Sequence, residues 1–379
     1  MKSGIAQHSL LKEDDDDPEP VPLACLDTVL DVAMHPTSRI ACAGIVAGFL
    51  EVWRVSDDIS VESARVAVVQ KMHASTSCRT IAFNSTGRNL FSGGANGSLH
   101  GVDASRGDVV WTVKQAHPSS VNRVSTCLSD SVGPWALLSG DENGEICLWD
   151  ARVGAASRSA ATSVNAHTDF VADMVALDDK RVVSVGGDGR LSQVDLRKTG
   201  GLKVTVQSEE AETELLSVVS VKEGKKLVVG TQEGPLLVFS QGKLAAPTDS
   251  FPGHPNSVDA LLKYDEDVVL TGSSDGIIRI VQLFPHKIKG VIGFHDDFPV
   301  ERLTWSHDRE FIASCSHDNL VRFWDMRFLA SLEGDEQDDD AMEVDAASSA
   351  GGAAASAQQK HKRAFFGAMQ QADDDMDDL

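Results

Sequence analysis

A short motif that recurs seven times is the strongest constraint on how this chain can fold. Each copy reads as a tight turn followed by a strand, and its second turn residue is in order Gly48, Gly97, Gly144, Gly189, Gly234, Gly276 and Asn319. Successive copies are 49, 47, 45, 45, 42 and 43 residues apart. The copy at 316–325 alternates with the period of two that is typical of a strand. One such unit cannot bury both of its faces, so the seven units must pack against one another.

Other side chains recur with the turn. A hydrophobic or aromatic residue follows each turn five positions later, namely Trp53, Val102, Trp149, Val194, Phe239, Val281 and Trp324. A histidine precedes the turn in six of the seven units, namely His35, His73, His117, His167, His254 and His295. A period of roughly 40 to 45 residues with four strands per unit is typical of the WD40 β-propeller. The sequence therefore predicts an all-β, seven-bladed WD40 propeller, whose closed ring leaves no long sheet edge exposed.

Charge divides the chain into three parts. Residues 1–20 carry a net charge of −4 and residues 331–379 a net charge of −10, which leaves −9 of the total of −23 for residues 21–330. We expect a propeller over 21–330 between disordered acidic tails. An acidic chain is a poor candidate for wrapping nucleic acid, so any association with RNA is expected to be indirect. A basic patch on one face of the ring stays open as an alternative.

The two ends of the ring have to be joined by a strand. Because strand signals stop soon after Trp324, we predict that residues 21–26 form the outer strand of blade 7, with 328–332 as the alternative. Blade 1 is degenerate, since Ala43 and Ala47 occupy polar positions of the repeat, and blade 5 is the weakest copy.

The remaining features favour an intracellular protein. The six cysteines form no Cys-x-x-Cys pair and are expected to be buried in a reducing compartment. No signal peptide is evident, and no stretch approaches the roughly 20 apolar residues of a membrane helix.

A Ser-His-Asp set stands out in blade 7. His295, Ser314 and Asp318, with Trp324, resemble the residues of a hydrolase. Serine or threonine also lies four residues before the turn acid, or the residue in its place, in five blades, at Ser92, Ser139, Ser184, Thr271 and Ser314. A catalytic set occurs once, whereas a structural one recurs, so we interpret these four residues as a structural tetrad that pairs buried polar groups. We expect no enzymatic activity, no cofactor and no metal site.

Two blades end in a Trp-Asp-x-Arg pattern. It comprises Asp150 with Arg152 and Asp325 with Arg327, and 195–197 is a partial third copy. The pattern resembles the box with which WD40 substrate receptors dock on the adaptor of cullin-4 ubiquitin ligases. An arginine just past the third strand can pair with a carboxylate of a partner. The alternative is a surface ion pair with the neighbouring aspartate.

The C-terminal tail contains a candidate docking motif. Phe365, Phe366 and Met369 would lie on one side of a short helix that could fill a groove on a partner. The three basic residues within 360–363 are a weak nuclear-import signal.

Several stretches resemble the WD-repeat protein 55 family, over about residues 21–329 and the Phe pair of the tail. They are 78–83 with 87–90, 230–234 with 238–239, 272–279 and 316–326. The resemblance implies a nuclear or nucleolar protein that acts in ribosome biogenesis and ribosomal RNA processing, and in plant members docking to the cullin-4 adaptor. We therefore carry two hypotheses. The first is a scaffold, a monomer within a larger complex, that binds ribosomal or assembly proteins. The second is a substrate receptor of the ligase.

Overall fold

The structure, a computed structural model, describes residues 20–69, 72–73, 76–126, 136–152, 162–197, 201–327 and 329. Within these residues 28 strands form seven four-stranded antiparallel sheets, as predicted for a seven-bladed propeller. The first strand of each blade is the inner one and the fourth is the outer one. The predicted acidic tails, the loop at 153–161 and the Phe365, Phe366 and Met369 motif lie outside the described residues.

The strands follow the repeat along the chain. Blades 1 to 3 contain β2 (Val29–Met34), β3 (Ile40–Ile45), β4 (Leu50–Arg54), β5 (Ala64–Val69), β6 (Cys78–Phe83), β7 (Asn89–Gly94), β8 (Leu99–Asp103), β9 (Asp108–Val113), β10 (Val121–Ser125), β11 (Ala136–Asp141), β12 (Glu145–Asp150) and β13 (Thr162–Asn165). Blades 4 and 5 contain β14 (Val171–Asp178), β15 (Arg181–Gly186), β16 (Leu191–Asp195), β17 (Lys203–Gln207), β18 (Leu215–Val221), β19 (Lys226–Thr231), β20 (Leu236–Ser240) and β21 (Asp249–Phe251). Blades 6 and 7 contain β22 (Val258–Lys263), β23 (Val268–Ser273), β24 (Ile277–Leu283), β25 (His286–Phe294), β26 (Val300–Trp305), β27 (Phe311–Ser316), β28 (Leu320–Asp325) and β1 (Leu23–Ala24).

The turn between the second and third strands requires a left-handed residue in every blade. Gly144 has φ of 82°, and Asn319, the one non-glycine at this position, has φ of 61°. A Cβ at Gly144 would lie 2.3 Å from the carbonyl oxygen of His167, so this turn has no room for a side chain. Glycine satisfies both demands at once, and asparagine tolerates the left-handed backbone.

The ring is closed by its N-terminal segment. Leu23 pairs with Val321 and Ala24 pairs with Leu320, so β1 is the outer strand of blade 7. This confirms the prediction for residues 21–26. Joining the two ends of the chain in one sheet ties the first and last blades together.

The hydrophobic core lies between the blades. The described residues form seven clusters of buried hydrophobic side chains. The cluster between blades 7 and 1, for example, contains Val29 and Phe311. Each blade therefore buries its faces against two neighbours, as the repeat requires.

A ring of seven residues, six of them polar, lines the centre of the propeller. Each inner strand has an irregularity just before its third residue. The third residues are Asp31, Thr80, Arg123, Asp173, Ser217, Ala260 and Arg302. Arg123 Nε lies 2.7 Å from Asp173, and Arg302 Nε lies 3.2 Å from Asp31. Asp31 also accepts the Ile81 N–H of the next blade at 2.8 Å. The charges balance one another, so this ring stabilises the fold.

His35 does not occupy the position assigned to it by the repeat. The other five histidines precede an inner strand, whereas His35 follows β2. Its Nδ1 accepts the Thr37 N–H at 3.1 Å, and its ring lies 5.1 Å from that of Phe83. The sequence interpretation was wrong here because it grouped His35, which lies 13 residues before its second turn residue, with five histidines that lie 22 to 27 residues before theirs.

Candidate functional site on the two faces of the propeller

The propeller has two faces. The upper face carries the seven tight turns and the loops that lead into the inner strands. The lower face lies at the opposite edge, where the third strands end. Each candidate site residue lies at one of these two edges or beneath it, because the antiparallel strands fix where each turn and strand end can lie.

Blade 7 holds the predicted tetrad as one hydrogen-bonded series beneath the upper face. Trp324 Nε1 donates to Ser314 Oγ at 2.7 Å, and Ser314 Oγ lies 2.6 Å from His295 Nε2. His295 Nδ1 lies 2.9 Å from the Asp318 carboxylate, which also accepts the Leu320 N–H. Burial opposes ionisation of Asp318, but the hydrogen bond from His295 and the other donors hold its pKa below the ordinary value. The series ties the tight turn to two strands.

The serine–histidine bond recurs around the ring. The histidine Nε2 lies 2.6 to 3.0 Å from a serine or threonine hydroxyl in five blades, in the pairs His73–Ser92, His117–Ser139, His167–Ser184, His254–Thr271 and His295–Ser314. In blade 1, where alanine replaces the serine, Trp53 Nε1 is buried without a hydrogen-bond partner among the described residues. Because the same hydrogen-bonded pair recurs in five blades beneath one face, we interpret it as a structural element of the blade.

Two buried histidines meet in blade 2. The rings of His73 and His100 pack edge to face with their centroids 4.8 Å apart. Burial lowers the pKa of His73 to about 3 and that of His100 to about 4. Both rings are therefore neutral near pH 7 and serve as hydrogen-bonding groups.

The arginines of the Trp-Asp-x-Arg boxes lie on the lower face and are bonded to their own aspartates. Arg152 donates from Nε at 2.9 Å and from a terminal nitrogen at 2.6 Å to Asp150. Arg327 makes the same two-point contact with Asp325, with Nε at 3.0 Å. The arginine side chains are 61% and 66% exposed. The geometry is thus the surface pair that the sequence left as the alternative, and it presents the guanidinium to solvent.

The partial third box has the same arrangement in blade 4. Arg197 donates to Asp195 and is 66% exposed. Hydrogen bonds from Arg197 lower the pKa of Asp195 to about 2. Three blades therefore present equivalent Asp–Arg pairs on one face of the ring.

A depression on the lower face between blades 5 and 6 contains lysines. It has a volume of about 590 Å³ and is lined by Lys222, Lys225, Lys226, Glu223, Glu266 and Phe284. Lys222 is paired with Asp267, and Lys225 is paired with Glu223. These acids neutralise much of the positive charge, so the depression is a weak candidate for binding phosphate.

The upper face between blades 6 and 7 combines acids with exposed aromatic rings. Asp259 and Glu301 are each the second residue of an inner strand, and Glu301 lies 3.0 Å from His317 Nε2. Burial and the nearby Glu301 raise the pKa of Asp259 to about 6. Phe294 and Phe298 beside them are 43% and 44% exposed. An incoming cation would relieve the repulsion that Glu301 exerts on the buried carboxylate of Asp259.

The family follows from comparison with known proteins. The model of the WDR55 family matches residues 20–329 of the chain. This chain belongs to the WDR55 family. The described residues contain no helix that is long and apolar enough to span a membrane.

Similar proteins occur in plants, fungi and animals. WD repeat-containing protein 55 of Arabidopsis thaliana is 37% identical over 80% of this chain and 81% of its own length. WD repeat-containing protein JIP5 of Coprinopsis cinerea is 35% identical over 79% and 72%. WD repeat-containing protein 55 of Homo sapiens is 31% identical over 86% and 83%.

A solved structure shares the fold. The WD40 β-propeller domain of Doa1 superposes with a TM-score of 0.66 at 16% identity, over 82% of this chain and 96% of that domain. A WD40 propeller of the WDR55 family supports a non-enzymatic role in protein interactions.

Sequence reasoning did not identify the surface formed by Asp259, Glu301, His317 and Phe298. The signal was present, because an acid follows the first residue of the inner strand in both blades 6 and 7. The repeat positions drew attention to the turns, whereas this surface is made by acids that the other five blades do not have at the same position.

Proposed function

We propose that this chain is a protein-interaction scaffold of ribosome biogenesis, acting in the nucleus and nucleolus, and that it binds a basic segment of a ribosomal or assembly protein. Membership of the WDR55 family supports the role of a propeller that binds proteins. The resemblance of the sequence to the WD-repeat protein 55 family supports a role in ribosome biogenesis.

The surface that carries the proposal is the acidic and aromatic part of the upper face between blades 6 and 7. Asp259 and Glu301 provide negative charge, and Phe298 provides exposed apolar area. Lysine and arginine side chains match both, since their heads pair with carboxylates and their stems and charges pack on aromatic rings. Opposite charge on the two partners also accelerates their encounter.

Affinity purification of the tagged full chain from nuclear extract at moderate salt tests this proposal. We expect mass spectrometry to find pre-ribosomal proteins, together with precursor ribosomal RNA. Because the RNA is proposed to be held indirectly, nuclease treatment should release the RNA and leave the direct protein partner bound. Recovery of the cullin-4 adaptor without ribosomal precursors would contradict the scaffold proposal.

The second candidate function is a substrate receptor on a cullin-4 ubiquitin ligase. The observation that favours it is the set of exposed Asp–Arg pairs at equivalent places in blades 3, 4 and 7. A partner carboxylate could approach the solvent side of Arg152 or Arg327 at little cost, since an exposed ion pair is weak. Replacing both arginines by alanine should abolish binding to the adaptor, and unchanged binding would exclude docking through them.

A further inference from the structure

The tetrad of blade 3 differs from that of blade 7 in its acidic member. The position of Asp318 is occupied in blade 3 by Asn143, which is exposed. Two other carboxylates approach the histidine instead: Asp141 Oδ2 lies 3.4 Å and Glu145 Oε2 lies 3.8 Å from His117 Nδ1. The corresponding histidine–carboxylate distance is 2.9 Å in both blade 4 and blade 7. The acids of blade 3 therefore surround the nitrogen at a greater distance.

The histidine nitrogen that faces these acids is buried and unsatisfied. His117 is 3% exposed, and its Nδ1 has no hydrogen-bond partner within the described residues. Its other nitrogen, Nε2, is fixed by Ser139 Oγ at 2.6 Å, and Trp149 Nε1 holds that hydroxyl in turn at 2.8 Å. When a hydrogen bond fixes one nitrogen of an imidazole, the other nitrogen points in a fixed direction and can act as a metal ligand.

A thiol completes the group. Cys147 occupies, three residues after the turn glycine, the position that Arg279 and Arg322 hold in blades 6 and 7. Its Sγ, a ring nitrogen of His117 and a Glu145 oxygen all lie within 4.8 Å of one another. Both blades have the imidazole; beside it blade 7 has one acid and an arginine, whereas blade 3 has two acids and a thiol. The ion pair of blade 7 is thus replaced by three groups that can bind a metal together with the imidazole.

We propose that His117, Asp141, Glu145 and Cys147 bind one zinc ion inside blade 3. Zinc bonds of 2.0 to 2.3 Å in a tetrahedron place donor atoms roughly 3.3 to 3.8 Å apart, which matches the distances from the histidine to both acids. A ligand set of nitrogen, sulfur and oxygen suits zinc, whereas calcium and magnesium prefer oxygen alone. The ion would link the loop before β10 to β11 and β12, and its role would be structural.

The test is the zinc content of the full chain, purified without a polyhistidine tag and without chelator. We expect about one zinc per chain in the wild type and in Cys42→Ser, which changes another buried cysteine in blade 1. We expect zinc affinity to fall at least about tenfold in Cys147→Ser and in Glu145→Gln. Cobalt(II) loaded in place of zinc should show thiolate charge-transfer absorption in the wild type and lose it in Cys147→Ser.

Thermal unfolding of the chelator-treated protein gives a second readout. Added zinc should raise the Tm of the wild type and of Cys42→Ser, with a smaller rise in the two ligand variants. Glu145 lies at the edge of the blade, so the Glu145→Gln variant tests the zinc site if Cys147→Ser does not fold. The proposal is overturned if the wild type retains no zinc and its Tm does not respond to zinc. It is equally overturned if the ligand variants retain as much zinc as the wild type, which would indicate an adventitious ion only.

Discussion

Blades 3 and 7 contain the same Trp–Ser–His series and differ in what meets the second nitrogen of the histidine. In blade 7 the turn residue Asp318 bonds His295 at 2.9 Å and is itself bonded by Arg322. In blade 3 the turn residue is Asn143, and Asp141 reaches the histidine from the end of the preceding strand at 3.4 Å. The serine–histidine bond is therefore common to both blades. The acid that faces the histidine differs in position, and in blade 3 it belongs to the proposed zinc site.

The serine is the member whose loss should cost most in both blades. Ser314→Ala and Ser139→Ala each leave a buried histidine nitrogen and an indole N–H, buried in Trp149 and partly buried in Trp324, without their shared partner. Because each unsatisfied group costs about 1 to 3 kcal/mol, we expect the free energy of unfolding to fall by about 2 to 6 kcal/mol in both variants. Urea unfolding followed by fluorescence measures this loss.

Ser184→Ala in blade 4 is the matched control for the serine variants. That blade has Val194 in place of the tryptophan, so His167 loses its partner and the Ser192 carbonyl oxygen loses only a long contact of 3.4 Å, and the loss should be about half as large. A loss at Ser184 equal to that at Ser314 would show that the indole contributes nothing to the series.

The turn acid should matter in blade 7 and not in blade 3. Asp318→Ala removes the acceptor for His295, Arg322 and the Leu320 N–H, and we expect a loss of about 2 kcal/mol. Asn143→Ala, at the same turn position, is exposed and should cost less than about 0.5 kcal/mol. Equal losses in the two unfolding curves would remove the proposed difference between the blades.

Asp259, on the upper face next to blade 7, should make the stability of the folded chain depend on pH. The pKa of Asp259 in the folded chain is raised to about 6 by burial and by Glu301, so the folded state binds its proton more tightly than the unfolded state. The folded state is therefore destabilised as pH rises from about 4 to about 6. Asp259→Asn should increase stability at pH 7.5 by about 1 to 2 kcal/mol, after allowance for solvent screening.

The measurement for Asp259→Asn is the Tm across pH 4 to 8. The gain over the wild type should be present at pH 7.5 and disappear by about pH 4, where the wild-type carboxyl is also protonated. A gain that does not vary with pH would mean that the substitution acts through packing instead of charge.

The smallest effect is expected on the lower face, where the two blades are alike. Arg152→Ala in blade 3 and Arg327→Ala in blade 7 remove exposed side chains that pair with Asp150 and Asp325 at the surface. We expect each to change the Tm by less than about 1 °C. Differential scanning fluorimetry of the two single variants and the double variant checks this, and a large shift in either would show that the pair is structural.

The repeat made most of the fold predictable. The turn glycines, the strand alternation and the closing strand at residues 21–26 are local signals, and each corresponds to what the structure contains. The assignment of His35 failed because any histidine upstream of the turn was counted. Its spacing of 13 residues from the turn, against 22 to 27 for the other five, places it at the opposite end of the inner strand.

The candidate site was less predictable, because it depends on contacts between blades. The pairing of Asp150 with Arg152 is local and was foreseen as the alternative to docking. The proximity of Asp259 to Glu301 joins two inner strands about 40 residues apart, and the shared position of the two acids in their strands does not by itself show that they are close. The approach of Asp141 to His117 likewise depends on the fold, since the repeat points to position 143.

The most direct test of the proposed function compares two charge-matched variants of the tagged full chain in nuclear extract. Asp259→Asn with Glu301→Gln removes two charges from the upper face. Glu62→Gln with Asp108→Asn removes two exposed charges elsewhere. Quantitative mass spectrometry should show that the first variant loses its basic ribosomal or assembly partner while the second retains it. Equal recovery of that partner with both variants would contradict the assignment of this surface as the binding site.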